Sequence, residues 1–238
     1  MTLPAAPVSP TVPAAPPADA RAVRWGALPN ARDLGGLPTS DGGRTRPGRF
    51  YRTSRLDDAG PDGLAAMAAA GVRTVVDLRN AAEVEPLELP PSVVRYALPV
   101  EDPDDEEFMR DWAPHRHTPR YYLTVLERWP GLVAEVFHVF AAAPDGAVVY
   151  HCAGGRDRTG MITALLLTLV GVPRGVIVDD YLLAVRANNE RVATVPGWDE
   201  PHRGPAELTA WCRDVARALE EFLDGVDPAG YLRAHGVT

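Results

Sequence analysis

Apolar residues along this chain fall into short runs divided by polar turns. Thr74-Val75-Val76-Asp77-Leu78 is a compact β-branched stretch and predicts a buried strand. Val93 to Val100 predicts a second, edge-like strand, and Ala147-Val148-Val149-Tyr150 a third. Between and beyond them the periodicity is helical. Pro61 to Ala70 reads as an Ala-rich helix stopped by Gly71. Arg120 to Arg128, Pro130 to Ala142, about Pro173 to Arg186, and Glu207 to Leu223 read as further helices. Met161 to Val170 is apolar nearly all round but too short to span a bilayer, so it predicts a buried central helix. Arg49 to Arg52 is expected to close a short hairpin from the turn at Asn30 to Gly36. Strands alternating with helices predict an α/β fold: a central, largely parallel sheet flanked by helices. No internal repeat is visible.

Composition narrows the picture. A length of 238 residues suits one domain with a sizeable core. Residues 1–22 are rich in Pro and Ala and read as a disordered leader, with one folded domain over 23–238. The leader lacks a basic stretch and an uninterrupted apolar core, so it makes a poor signal peptide. A cytoplasmic location is therefore expected, with export by another route left open. Net charge is −8, which argues against a general binder of nucleic acid or of membrane surfaces, and no membrane span is expected. The two cysteines, Cys152 and Cys212, make no disulfide framework and suit a reducing compartment. Every one of the 24 basic residues is arginine.

The chemistry is concentrated in His151-Cys152-Ala153-Gly154-Gly155-Arg156-Asp157-Arg158-Thr159-Gly160. This stretch joins the third strand to the apolar helix. Such a loop aims successive backbone N–H groups at one point, and the helix N-terminus adds partial positive charge, so it is a site for an oxyanion. Cys152 stands at its start and Arg158 at its end. The N–H groups, the dipole and nearby arginines all favour a thiolate, which makes Cys152 a poised nucleophile. Arg158 can hold two equatorial phosphoryl oxygens with one guanidinium fork. Gly154 and Gly155 let the backbone close round the anion, and the Thr159 hydroxyl can ease departure of the sulfur. Together these imply phosphoryl transfer to cysteine, then attack by water.

The loop resembles the H-C-x5-R-T-G signature of the cysteine-dependent protein tyrosine phosphatase superfamily. Its form is similar to that of the bacterial atypical branch, H-C-x-x-G-K-D-R-T-G. Asn30-Ala31-Arg32-Asp33-Leu34-Gly35-Gly36, Arg49 to Ser54 and Asp179-Asp180-Tyr181-Leu182 also resemble that branch, so the likeness spans roughly residues 24 to 238. It implies a phosphatase fold, with residues 23–238 as its catalytic domain. The implied activity is metal-independent hydrolysis of phosphotyrosine, and of phosphoserine/threonine or phosphoinositide as further substrates. It also implies no cofactor, a phosphate cradle made by Ala153, Gly154, Gly155, Arg156 and Thr159, and a supporting His151 that is not a base. The chain departs at Arg156, where the branch has lysine. That position would meet further phosphates or the outer edge of the substrate, although an arginine there also follows from a chain without lysine.

A general acid must protonate the leaving oxygen. The candidates in order are Asp157 inside the loop, which the resemblance favours, Asp77 at a strand end, and Asp102 in the acidic run to Glu107. Each has a plainer reading: Asp157 as a brace for the loop, Asp77 as a partner for Arg79, Asp102 as part of a solvated loop. Phe108 to Tyr122 reads equally as a lid over the thiolate or as an ordinary amphipathic helix. His115 and His117 are too few for a metal site and are placed in a lid or turn. Cys212 is expected to be a buried, inert thiol, ahead of the alternative that the resemblance offers, a protective disulfide with Cys152. Arg32 and Asp33 are expected to brace the loop as a pair. A phosphate-recognition module without turnover, a sulfurtransferase and an arsenate reductase are the alternatives; intact Cys152 and Arg158 speak against the first and the Arg-Thr pair against the second. The third places its loop near the N-terminus and needs accessory cysteines.

Overall fold

Ala147–His151 (β5) is buried at every position and forms the middle of the sheet. Its side chains alternate: Val148 and Tyr150 join the core on one face, Ala147 and Val149 the core on the other. A strand covered on both faces reads as a continuous apolar run, and this one does. In the computed structural model, residues 14–195 and 200–238 are described.

The chain enters through a helical turn, Ala18–Arg21 (α1), and a two-residue strand, Arg32–Asp33 (β1). Phe50–Thr53 (β2), Gly60–Ala69 (α2), Val72–Asp77 (β3) and Val94–Ala97 (β4) follow. Glu106–Trp112 (α3), Tyr122–Arg128 (α4) and Pro130–Ala142 (α5) precede β5. Asp157–Leu169 (α6), Arg174–Val192 (α7), Pro205–Gly225 (α8) and Pro228–Ala234 (α9) complete the fold. The sheet order is β1-β2-β5-β3-β4, parallel throughout except for the antiparallel β1–β2 pair. It is the largely parallel α/β sheet that alternating strands and helices predict.

The register sets the site. Thr53 at the end of β2 and Asp77 at the end of β3 both pair with His151 at the end of β5. Three strands thus stop level, and the segments after them converge at one carboxyl edge, where open α/β sheets bind ligands. The larger core lies beneath α4 to α8, with Met161, Ile162 and Leu165 of α6 fully buried as the apolar sequence requires. The smaller core packs α2 and Trp25 on the opposite face.

Several expectations need correction. The Pro/Ala-rich leader is shorter at its C-terminal end than 1–22, because α1 folds onto the domain and Arg21 is buried against Asp180 at 2.9 Å. Residues 1–13 lie outside the described ones. The helix expected to end at Arg186 runs on to Val192, since Asn188, Asn189 and Arg191 are buried and find polar partners. The acidic run gives rise to α3, which Asp105 caps by accepting from the Phe108 N–H at 3.0 Å. The edge strand is only four residues long, and α9 had no counterpart among the expected elements. Asn30 to Gly36 and Arg49 to Arg52 do form the expected antiparallel ribbon, Arg32 opposite Arg52.

Candidate active site

Gly155 has φ +64, and a Cβ there would lie 2.3 Å from the Thr53 carbonyl oxygen, so only glycine lets the loop lie against β2. The loop carbonyls are held from behind. The Ala153 oxygen accepts from the Arg55 N–H at 3.0 Å, and the Gly154 oxygen from Asn188 Nδ2 at 2.9 Å. The Gly155 oxygen accepts from Asn30 Nδ2 at 2.9 Å and Arg52 Nη2 at 2.8 Å. A planar trans peptide points its N–H opposite its C=O. Three anchored carbonyls therefore turn the N–H groups of Gly154, Gly155 and Arg156 toward the open side of the loop. That is the arrangement an anion cradle requires.

Arg52 itself is held by a hub. Asp180 of α7, wholly buried, takes Arg21 Nη1 at 2.9 Å, Arg32 Nε at 2.8 Å and Arg52 Nη1 at 2.9 Å. Burial works against the Asp180 carboxylate, yet these arginines hold it well below its ordinary range. Arg32 and Asp33, expected to act as a pair, go separate ways. Arg32 serves Asp180, while Asp33 accepts from the Gly35 and Gly48 N–H groups at 2.8 and 2.7 Å and fixes the turn.

On the open side is a cavity of about 380 Å³ lined by Cys152, Ala153, Gly154, Arg156, Asp157 and Arg158. Gly155 and Thr159 do not line it, and the Thr159 hydroxyl is buried without a hydrogen-bond partner among the described residues. Cys152 is 3% exposed, at the floor. Arg158 forks onto Glu83, Nη1 to Oε2 at 2.5 Å and Nη2 to Oε1 at 2.6 Å, with Glu101 Oε1 3.5 Å away. Burial disfavours its charge, but Glu83, Cys152 and Glu101 more than offset this and raise Arg158 well above its ordinary value. Neither glutamate stood out in the sequence. The available signal was weak: Glu83 closes a capping box with Asn80, three residues earlier.

Arg156 does not present an open cation. It is 3% exposed, binds Asp157 through Nε at 3.0 Å and Glu200 through Nη1 at 2.8 Å, and Glu200 also takes Arg203 at 2.6 Å. The outer rim of the cavity comes from the stretch after the acidic run: Phe108, Met109 and Trp112 of α3, then Arg116, His117 and Tyr121. It is a wall of the cavity. His117 Nδ1 lies 3.9 Å from Glu200, and His115 packs edge-on to Trp112.

Asp77 is no candidate acid in this geometry. It is sealed between Arg79, at 2.8 and 2.9 Å, and Arg95 at 2.6 Å. Burial pushes its carboxyl up, but hydrogen bonds and charge from Arg79, with His151 nearby, bring it down to about 2. Asp102 is exposed, accepts from the Asp104 N–H at 2.9 Å and does not line the cavity. His151 is buried, with burial lowering its basicity; Nδ1 meets the Cys152 carbonyl oxygen at 3.1 Å and Nε2 lies 3.8 Å from Asp77. Asp157 accepts from Arg156 Nε and from the Tyr181 hydroxyl at 3.1 Å. Cys212 is buried and free in the main core. Among the described residues no helix is long and apolar enough to cross a membrane.

A thiol on the floor of a loop of converging N–H groups, with an arginine beside it, is the arrangement that a cysteine-loop phosphatase would require. Residues 23–236 match the tyrosine phosphatase family, and the chain belongs to that family. It is 33% identical over 212 residues to a tyrosine-protein phosphatase of Nostoc commune, covering 79% of this chain and 70% of that protein. It is 32% identical to the triple specificity protein phosphatase PtpB of Mycobacterium tuberculosis, covering 64% of this chain and 65% of the relative. Among solved structures, TpbA of P. aeruginosa aligns with 17% identity and a TM-score of 0.41, covering 80% of this chain and 87% of that one. The chain is thus an enzyme of the protein-tyrosine-phosphatase class, acting on phosphorylated substrates.

Proposed function

We propose that this protein hydrolyses phosphotyrosine monoesters through a phosphocysteine on Cys152, with Arg158 clamping the phosphoryl group, and that the unit from residue 23 onward is its catalytic domain. The observation that carries the reading is the meeting of Cys152 and Arg158, six residues apart on the loop, in one cavity whose backbone carbonyls are all anchored outward. The thiolate attacks phosphorus, the loop N–H groups and the guanidinium hold the equatorial oxygens, and water then releases phosphate. His151 serves as a support for the loop, and Ala153, Gly154 and Gly155 supply backbone.

Phosphotyrosine is preferred over polyphosphorylated headgroups on two grounds. Phe108, Met109 and Trp112 offer apolar surface to an aromatic ring. Arg156, which could have met a second phosphate, is taken by Asp157 and Glu200. The test is phosphate release by the wild type and Cys152→Ser on p-nitrophenyl phosphate, phosphotyrosine, phosphothreonine and phosphoinositides, with chelator and reductant present. Turnover by wild type alone, highest on phosphotyrosine, is expected. Full activity in Cys152→Ser would rule out the covalent route, and a folded wild type that binds vanadate without turnover would favour a phosphate-recognition module.

A further inference from the structure

Three carboxyl groups line the cavity that holds Cys152, and they differ in what already occupies them. Glu83 gives both oxygens to Arg158, and its Oε2 also accepts from the Asn80 N–H at 3.0 Å. Asp157 gives its oxygens to Arg156 Nε and the Tyr181 hydroxyl. Glu101 accepts no hydrogen bond among the described residues, and its cationic neighbour, Arg158 Nη1, is 3.5 Å away. A group that must give a proton to the reacting oxygen and take one back needs a carboxyl oxygen open to it. Of the three, Glu101 is the least engaged, with both oxygens free of hydrogen bonds among the described residues. Its side chain is 17% exposed, withdrawn from bulk water yet facing the cavity.

The backbone holds it there. The Leu98 N–H donates to the Asp77 carbonyl at 2.8 Å, and Val100 is fully buried. The chain leaving β4 is thereby fastened to the strand edge at which the Cys152 loop begins, one residue before Glu101.

We propose that Glu101 is the general acid, and then the general base, of the reaction; this rests on the phosphocysteine route proposed above. In the first step Cys152 Sγ bonds to phosphorus, and the P–O bond to the leaving group breaks with its electron pair on oxygen. That oxygen takes the proton from the Glu101 carboxyl and departs as the phenol. In the second step a water oxygen bonds to phosphorus, its proton passes to the Glu101 carboxylate, and the P–S bond breaks with its pair on sulfur. Inorganic phosphate leaves, with the thiolate and the protonated Glu101 restored. The environment fits the task. Burial raises the Glu101 carboxyl above its ordinary range, Arg158 pulls it back, and Glu83 and Asp157 add to the rise. Arg116 favours its charge, and Tyr121 is a further titratable neighbour.

The experiment uses the full chain as wild type, Glu101→Gln, Glu101→Asp, Asp157→Asn and Cys152→Ser. Substrates run from 4-nitrophenyl phosphate to phenyl phosphate. The pre-steady-state burst of phenol isolates the first step, and steady-state kcat is followed against pH. Glu101→Gln should slow the phenyl phosphate burst by about a hundredfold or more, as loss of a proton donor does. It should slow the 4-nitrophenyl ester, whose leaving group needs little help, far less. Glu101→Asp should recover part of the loss, and Asp157→Asn should keep the wild-type dependence on leaving group. Equal losses on both esters in Glu101→Gln, or a leaving-group effect in Asp157→Asn instead, would overturn the assignment. A wild-type profile also stands as a test if the variant does not fold: kcat on phenyl phosphate must fall as pH rises through a raised carboxyl, more than on the 4-nitrophenyl ester. No difference between the esters would overturn the proposal. Activity in Cys152→Ser would instead break the underlying route, a separate result because the Glu101 variants leave the cysteine intact.

Discussion

Two clusters of arginine and carboxylate flank the Cys152 loop, one behind it and one in front, and they are built in opposite senses. Behind, a single carboxylate, Asp180, holds three arginines, Arg21, Arg32 and Arg52, all buried. In front, a single arginine, Arg158, meets two carboxyl groups, Glu83 and Glu101, at the wall of an open cavity. The rear cluster is closed and positively biased: Arg32 is pushed down to about 10 by burial, with Asp180 opposing and Arg52 and Arg21 adding to the fall. The front cluster has spare carboxyl capacity and an arginine that lines the cavity. The same pair of residue types therefore serves as scaffold where water is excluded and partners are complete. In the proposed mechanism it serves as chemistry where one partner is left over.

The contrast can be broken from either side. The largest effect is expected at the rear. Asp180→Ala leaves three buried guanidinium groups without a counter-charge and should cost about 3–5 kcal/mol of stability, read by urea unfolding. In front, Arg158→Ala should leave the fold nearly intact but lower kcat/KM on an aryl phosphate about 10²- to 10³-fold, the usual consequence of losing one preorganised donor. A swap of these outcomes, with Asp180 tolerated or Arg158 needed for folding, would erase the distinction.

Acid should act on the lowered carboxylates that brace the fold. Asp77 titrates at about 2 in the folded chain, below its ordinary value, and Asp180 is lowered too. A lowered folded-state value means stability that is complete above the ordinary carboxylate range and is lost as pH falls through the folded value. Unfolding free energy should thus drop between about pH 4 and pH 2, by about 2 kcal/mol from Asp77. Stability unchanged across that window would show that neither pair is coupled to folding. Smaller still, Glu83→Gln should weaken the brace on Arg158 and cost about 1–2 kcal/mol in kcat/KM, with little change in the unfolding midpoint. At the surface, the Arg120–Asp214 pair at 2.7 Å is more than a third exposed on both sides, and Asp214→Asn should shift stability by less than about 0.5 kcal/mol and leave turnover unchanged.

Much of the molecule was legible because its causes are local. The apolar runs at β3 and β5, the stop at Gly71 and the apolar α6 follow from residues next to one another in the chain. So does the loop: a cradle with cysteine and arginine at its ends needs ten consecutive residues. Other features were misjudged for an equally physical reason. Asp77 looked free for acid work because its second arginine, Arg95, arrives from the next strand. Arg156 looked open to substrate because Glu200 lies 44 residues away. The extension of α7 through polar residues depends on loop carbonyls that Asn188 finds only in the folded state.

The chain by itself determined the alternation of strand and helix, the place of the Gly-rich loop at a strand end, and the class of chemistry proposed for Cys152 and Arg158, since each rests on contiguous residues and on preferences within a few bonds. Tertiary structure alone decided which carboxyl groups are spent as braces and which is left to the cavity. Glu83 reaches Arg158 across 75 residues and Asp180 reaches Arg32 across 148. A charge acts through distance and burial, and both are set only when strands that stop level bring remote segments to one edge.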